Sequence, residues 1–250
     1  MKSLSLIIPA YNEEKRIKKT LEKYITSFNK LLKNKYEIII ILNGCIDNTL
    51  KIVRQYSRKY SFVKFRDYKE RIGKGGAIRE GFKIAKGDII GFVDADSSTS
   101  PEEFLKLYNN LGDYDGIIAS RWCKGALISE NQSLIRIIAG RAFNLIIRIM
   151  FNMNYKDTQC GAKLFKKYAV EKIIDKIGLT KWAFDIDLLY LMKLNKFKIR
   201  EFPTVWEHSQ DSKFNLKRAA LQMGLAIVRL RMYYSPFRFI ASFIDKRIRL

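Results

Sequence analysis

From Ser3 to Arg121 the chain alternates short unbroken apolar runs with segments whose apolar residues recur at helical spacing, and no other feature narrows its possible folds so far. Ser3 to Ile8, Tyr36 to Leu42, Phe62 to Phe65, Ile89 to Val93 and Gly116 to Ser120 are short and bounded by turn residues, so they read as buried strands. Between the first two, Ile17, Leu21, Tyr24, Ile25, Phe28, Leu31 and Leu32 share a helical face. Further helices are expected around Ile52, Val53 and Tyr56, over Ala77–Lys86, and from about Pro101 to Leu111. Asn12 is expected to cap the first helix, with Glu13 and Glu14 in its first turn; Asp47 opens the second, and Gly73–Gly76 form a turn feeding the third. Strands and helices alternating through short connections specify an α/β fold, a mainly parallel sheet with helices on both faces.

The fourth apolar run ends in Asp94, Ala95 and Asp96. Residues two apart on a strand point to the same side, so both carboxylates emerge at the strand's carboxyl end, where open α/β sheets bind ligands. Adjacent anions repel and call for a cation, a shared proton or water. Hard oxygen ligands suit Mg²⁺ or Mn²⁺, completed by substrate phosphate and water. The plainer alternative is a solvated acidic turn capping the helix near Pro101. The stretch GKGGA at 73–77 lacks the spacing of either common phosphate-binding glycine motif. Lys74 is a candidate phosphate neighbour there, and the glycines read equally as structural.

With 250 residues, 48% of them hydrophobic, the chain can bury one sizeable core and a small appendage. Cys45, Cys123 and Cys160 are scattered and odd in number, which fits free thiols in a reducing compartment. His208 is the sole histidine, which excludes a histidine-rich zinc site. The N-terminal MKSLSLIIPAYNEE reads neither as a signal peptide nor as an anchor, and no stretch is apolar enough to span a bilayer.

The formal charge of +22 invites an anionic partner: nucleic acid, anionic lipid or a phosphorylated substrate. Its distribution points to lipid. Leu134–Phe151 is apolar but for Arg136, Arg141, Asn144 and Arg148, with Arg136, Gly140, Asn144 and Arg148 on one i+4 row. That is a basic amphipathic helix suited to a membrane surface, or a core helix with a charged outer stripe. The last 38 residues carry nine Lys and Arg against one Asp, with aromatics interleaved. Residues 1–212 are accordingly expected to form a catalytic domain and 213–250 a basic amphipathic helical extension. A nucleic-acid-binding protein would leave the paired aspartates unexplained, and no nucleic acid partner is expected.

In order along the chain stand IIPAYNEE at 7–14, NGCIDNT at 43–49, GKGGAIREG at 73–81, DADSST at 94–99 and SR at 120–121, then DTQCGAKLF at 157–165, WAFDIDLLYL at 182–191 and SK at 212–213. Together these stretches resemble family 2 glycosyltransferases, whose nucleotide-sugar-binding fold is called GT-A. DTQCGAKLF and WAFDIDLLY are similar to the dolichyl-phosphate glucosyltransferase branch in particular. The resemblance implies a nucleotide pocket lined by Pro9, Ala10, Tyr11 and Glu13. Asp94, Ala95 and Asp96 would hold the diphosphate through Mg²⁺ or Mn²⁺, and Arg121 and Lys213 would face donor or acceptor phosphates. Where the family has Asp-Asp-Gly-Ser after the second strand, this chain has Leu42, Asn43, Gly44 and Cys45, so Asn43 offers an uncharged contact for base or ribose.

The implied reaction is metal-dependent, inverting transfer of a hexose, glucose in the first instance, from a UDP-sugar to a polyprenyl or dolichyl phosphate. Its place would be the anionic cytoplasmic face of a membrane. A GDP-mannose donor or a saccharide hydroxyl acceptor stands as the alternative on the same fold. A hydroxyl acceptor needs a base, for which Asp185 is the candidate, a helix cap being its other reading. A lipid phosphate needs only positioning and charge screening, and Arg136, Arg141 and Lys213 suit it. His208 is either a further metal ligand or structural.

Overall fold

The computed structural model describes residues 2–33, 35–128, 134–178, 183–206 and 216–236. Its elements run β1 (Leu4–Ala10), α1 (Ile17–Leu32), β2 (Tyr36–Asn43), α2 (Thr49–Lys59), β3 (Val63–Tyr68), α3 (Gly73–Ile84), β4 (Ile89–Phe92), α4 (Pro101–Asn109) and β5 (Gly116–Ser120). There follow β6 (Leu127–Ile128), α5 (Leu134–Phe151), β7 (Lys163–Lys166), α6 (Lys167–Ile173), α7 (Phe184–Leu194), β8 (Ile199–Pro203), β9 (Val205–Trp206) and α8 (Leu216–Tyr233).

Seven strands form one sheet in the order β3-β2-β1-β4-β7-β5-β8, and β6 pairs with β9 in a small second sheet. Six of the seven are parallel; β7 runs antiparallel to both neighbours, β4 and β5. The expected mainly parallel sheet is therefore observed, with one reversed strand at its centre.

The strands are apolar throughout because both faces are covered. Leu4, Leu6, Ile8, Ile38 and Ile40 enter the core under α1 and α4 with Tyr24, Phe28 and Phe104. Their alternates Ile7, Ile39 and Ile41 join Ile90 and Phe92 in the opposite core, which Ala77 and Ile78 of α3, Phe184 and Leu188 of α7, Ile147 of α5 and Ile227 and Leu230 of α8 complete. Gly91 is required where β7 joins: a Cβ there would stand 2.7 Å from the Lys163 carbonyl and 2.9 Å from the Phe104 ring.

Three local expectations need correction. Asn12 does not cap α1, which starts only at Ile17; Asn12 adopts φ 53° and its Oδ1 accepts from the Ile46 amide at 2.9 Å. Gly73–Gly76 are not a turn ahead of a helix but its first residues, because Asn43 Oδ1 accepts from the Ile72 and Gly73 amides (2.7 and 3.1 Å) and starts α3 there. On α5 the expected row is interrupted: Arg148 is exposed, but Asn144 is buried and its Oδ1 accepts from the Thr158 amide and hydroxyl. The strip that α5 turns to solvent carries Ile138, Leu145 and Ile149.

α8 is tied back onto the sheet domain. Beyond Ile227 and Leu230, the Tyr234 hydroxyl donates to Asp187 Oδ1 at 2.5 Å, and the Gly178 amide donates to Oδ2 at 2.8 Å. Asp187 is fully buried, and burial outweighs both donors and pushes its pKa up to about 6 from 3.8. The native state thus keeps a proton to higher pH than the unfolded chain, and stability falls as pH rises from about 4 to 6. A rise of that size costs on the order of 3 kcal/mol at neutral pH. Asp187→Asn removes the charge yet can still satisfy both partners, since a tyrosine hydroxyl accepts as well as donates. The variant is expected to melt several degrees above the parent at pH 7.5, with the gap closing by pH 4.5. A gap independent of pH in circular-dichroism melts would exclude this account.

Candidate active site

The strand order grows outward in opposite directions from β1 and β4, and the crevice at their carboxyl ends is the switch point where such sheets bind ligands. A cleft of about 720 Å³ opens there, lined by Pro9, Ala10, Tyr11, Glu13, Asn43, Arg71, Gly73, Lys74, Asp94, Ala95, Asp96 and Gln222. Pro9, Ala10, Tyr11, Glu13, Asn43, Lys74, Asp94, Ala95 and Asp96 were all expected from the sequence, and they share this one wall.

Loops from three strands build the cleft by bonding to one another. The Glu13 amide donates to Thr49 Oγ1 and the Glu14 amide to Asp47 Oδ2, so NGCIDNT holds YNEE in place. Asp47 Oδ1 also accepts from the Thr49 amide at the start of α2, whose N-cap is Asn48 rather than the expected Asp47. The loop after β4 is pinned to α1, where Thr20 Oγ1 donates to the Ala95 carbonyl (2.7 Å) and Tyr24 donates to the Thr99 carbonyl (2.9 Å). Asp96 Oδ1 accepts from the Ser98 amide, whereas the cap of α4 is Ser100, whose hydroxyl accepts from the Glu103 amide. Neither aspartate of the pair is spent as a helix cap.

Lys74 Nζ stands 2.5 Å from Asp94 Oδ1. Burial would lower the lysine's pKa, but the carboxylates of Asp94, Asp185 and Asp96 outweigh it and hold the ammonium above its ordinary range. Burial is the largest cause that pushes Glu13 upward, and Asp96 and Asp94 add to it against the pull of Arg16. Arg71 lies 4.0 Å over the Tyr11 ring, a cation–π contact that sets a planar cation on the cleft wall. Gly161 abuts Asp94 so closely that a Cβ would lie 2.0 Å from Oδ2, and Gly75 lets α3 rest on Phe184.

The donor set fits a hard divalent cation. Asp94 and Asp96 present carboxylate oxygens to one cleft, and the Lys74 ammonium already occupies the cationic position beside them. Among the described residues no three His, Cys, Asp or Glu side chains converge. A two-carboxylate site completed by substrate phosphate and water is how Mg²⁺ is commonly held.

Other expected residues lie elsewhere. Asp185 does not line the cleft: it is buried, with Oδ1 2.6 Å from Nζ of the fully buried Lys163. Lys163 also donates to the Cys160 carbonyl. Asp185 and Asp187, expected on different faces of α7, do find different partners. Arg121 grips Asp157 through Nε (2.7 Å) and Nη2 (2.9 Å) between the rings of Trp122 and Trp206. Arg141 lies 5.1 Å over Trp122 from the exposed side of α5. Arg136 belongs to α5, but its side chain, like the whole of His208 and Lys213, lies outside the described residues. Arg71, Gly73 and Gln222 are cleft residues that the sequence reading missed. Arg71 stands just ahead of the glycines at no distinctive spacing, and nothing in the pattern of α8 marks Gln222.

The fold and this site define a nucleotide-sugar transferase of the GT-A class. Glucosyl-3-phosphoglycerate synthase from Mycobacterium tuberculosis, crystallised with Mn²⁺, UDP and phosphoglyceric acid, superposes with a TM-score of 0.63 at 17% identity, over 92% of this chain and 78% of that one. The model of glycosyl transferase family 2 matches residues 5–174. The dolichyl-phosphate beta-glucosyltransferase of Dictyostelium discoideum is 33% identical over 244 residues, 92% of this chain and 74% of that protein. Glycosyltransferase AglD of Haloferax volcanii is 29% identical over 229 residues, and the chain spans only 36% of its length. The chain belongs to glycosyl transferase family 2 and is a glycosyltransferase.

Proposed function

We propose that this chain transfers glucose from UDP-glucose to a polyprenyl phosphate of the dolichyl type, with inversion and with a divalent cation, at the cytoplasmic surface of a membrane. The observation that carries the proposal is the convergence of Asp94, Asp96, Lys74 and Arg71 on one cleft beside the aromatic wall of Tyr11. The similarity to dolichyl-phosphate beta-glucosyltransferases supports the acceptor and the sugar.

Breaking a sugar–diphosphate bond builds negative charge on the leaving group. When bound by Asp94 and Asp96, a Mg²⁺ or Mn²⁺ ion supplies Lewis-acid neutralisation of that charge. Lys74 and Arg71 add cations on the same wall. An acceptor phosphate is already ionised near neutral pH and needs no base. The engagement of Asp185 by Lys163 supports this acceptor over a hydroxyl. Arg121, Arg136, Arg141 and Lys213 are the cations we assign to orienting and screening it.

The test is transfer of radiolabelled sugar into organic-extractable lipid, run with UDP-glucose, GDP-mannose and their relatives against polyprenyl phosphates. UDP-glucose with Mn²⁺ is expected to label the lipid. Asp185→Asn, compared per folded molecule, is expected to cost less than about tenfold. An essential base would cost about 10² to 10⁴. Labelling of a saccharide hydroxyl, or of lipid from GDP-mannose alone, would replace the proposal with its alternatives. Silence with every donor would reject it.

A further inference from the structure

The carboxylate oxygens of the cleft are already taken up one by one. Lys74 Nζ stands 2.5 Å from Asp94 Oδ1. Asp94 Oδ2 lies against Gly161, so closely that a Cβ there would sit 2.0 Å from it. Asp96 Oδ1 accepts from the Ser98 amide at 3.0 Å, which leaves Oδ2 without a described partner. Glu13 also lines the cleft, but Arg16 donates to both of its oxygens, at 2.7 and 3.0 Å. A hard divalent cation draws on several anionic oxygens at once, and it cannot share Asp94 Oδ1 with an ammonium, because like charges on one oxygen repel. Lys74 and the cation therefore exclude each other at Asp94.

The backbone under Lys74 is fixed. Asn43 Oδ1 accepts from the Ile72 and Gly73 amides, and a Cβ on Gly75 would stand 2.6 Å from the Phe184 Cβ, so α3 cannot slide away from the cleft. The Lys74 side chain is 37% exposed, and a lysine stem swings freely about several bonds. Charge gives it a reason to swing. Lys74 and Arg71 balance Asp94 and Asp96, and Arg16 balances Glu13, so these six side chains sum to neutral. A donor diphosphate brings a pair of negative charges, which draw on the ammonium and which a divalent cation cancels.

We infer that Lys74 is a placeholder for the divalent cation: its ammonium holds Asp94 Oδ1 until a donor diphosphate draws it off, so the cation enters with the nucleotide and not before it. The inference deepens the metal-assisted donor reading above and rests on it. Cation and nucleotide are thereby coupled ligands, and by linkage each strengthens the other to the same extent. Lys74 moves between two anionic partners, Asp94 and the diphosphate, and the cleft stays near neutral in both arrangements.

The experiment is equilibrium dialysis of Mn²⁺ against the full chain, alone and with UDP, GDP, UMP or GMP, after subtracting the Mn²⁺ that each nucleotide binds by itself. It uses the parent, Lys74→Met and Lys74→Arg, each checked by a melt. The parent is expected to bind Mn²⁺ at least about tenfold more tightly with UDP or GDP than alone, and to gain little from the monophosphates. Lys74→Met should bind Mn²⁺ alone at least about tenfold more tightly than the parent, and should gain less from a diphosphate. Its affinity for the nucleotide without metal should fall. Lys74→Arg keeps the charge and should keep the parent's weak binding of Mn²⁺ alone. A parent that takes Mn²⁺ equally with and without nucleotide overturns the exchange, and this arm needs no variant. So does a folded Lys74→Met that holds Mn²⁺ alone no better than the parent does, or an equal gain from mono- and diphosphates. Each of these leaves metal-assisted transfer standing. Failure to bind Mn²⁺ in every arm removes the cation from the proposed function, and the exchange with it.

Discussion

Asp96→Asn is expected to lower sugar transfer about a thousandfold or more, a loss on the order of 4 kcal/mol of transition-state stabilisation, while leaving the fold intact. The substitution is nearly isosteric. The one hydrogen bond described for the carboxylate, from the Ser98 amide to Oδ1, can be kept by the asparagine carbonyl, so the loop after β4 holds its shape. What changes is charge. Asp94 already shares its Oδ1 with Lys74 at 2.5 Å, which leaves Asp96 as the cleft carboxylate without a described cationic partner and therefore the one best placed to hold an added cation. Removing it leaves Asp94 to choose between the ammonium and the metal. Raising Mn²⁺ should recover little of the rate, because the defect lies in the charge opposite the departing diphosphate. The measurement is the initial rate under saturating donor and acceptor, alongside a melt. Transfer within tenfold of the parent, at an unchanged melting temperature, would remove the paired carboxylates from the chemistry.

The cleft was legible because topology does the gathering. Once β1, β2 and β4 are read as adjacent buried strands, the residues after each strand meet at one end of the sheet, and Tyr11, Asn43, Asp94 and Asp96 meet there whatever the loops do in detail. The neighbourhood of β7 is built otherwise. β7 is a four-residue strand, Lys163–Lys166, begun and ended by lysine, with none of the apolar continuity that marks a buried strand. Its place between β4 and β5 becomes intelligible only once Asp185 of α7 is seen to neutralise Lys163, a pairing that no spacing in the chain announces. Asn43 teaches the same lesson in reverse. Its position was legible, but its oxygen serves the Ile72 and Gly73 amides, so its main visible work is to begin α3 and aim Lys74 at Asp94. Gln222 enters from a helix more than a hundred residues downstream of Asp96, where packing of Ile227 and Leu230 rather than any local pattern sets the approach.

Asp157→Ala is expected to destabilise the protein by about 3–5 kcal/mol, with a fall in melting temperature on the order of 10 °C for a chain of this size. Asp157 is wholly buried and receives four donors: Arg121 Nε at 2.7 Å, Nη2 at 2.9 Å, the Arg121 amide at 3.0 Å and the Gln159 amide at 3.2 Å. Burial by itself would raise this carboxyl, but the Arg121 guanidinium and its hydrogen bonds overcome that and hold the pKa below the ordinary aspartate value. The sign of the linkage follows. A depressed acid stabilises the native state above its unfolded pKa, and that contribution disappears as pH falls through the folded value. Alanine therefore removes stability at pH 7, and the difference between variant and parent should narrow in strong acid. The largest part of the cost is the guanidinium left behind, mostly buried between Trp122 and Trp206 with no counter-charge. The double variant Asp157→Val/Arg121→Met, which removes both charges together, should consequently recover a substantial share of the loss while still failing in transfer, because Arg121 is assigned to the acceptor phosphate. Equal destabilisation in the single and double variants would mean that packing, not charge, ties DTQCG to the end of β5. Recovered stability with parental transfer would free Arg121 from any role in handling phosphate.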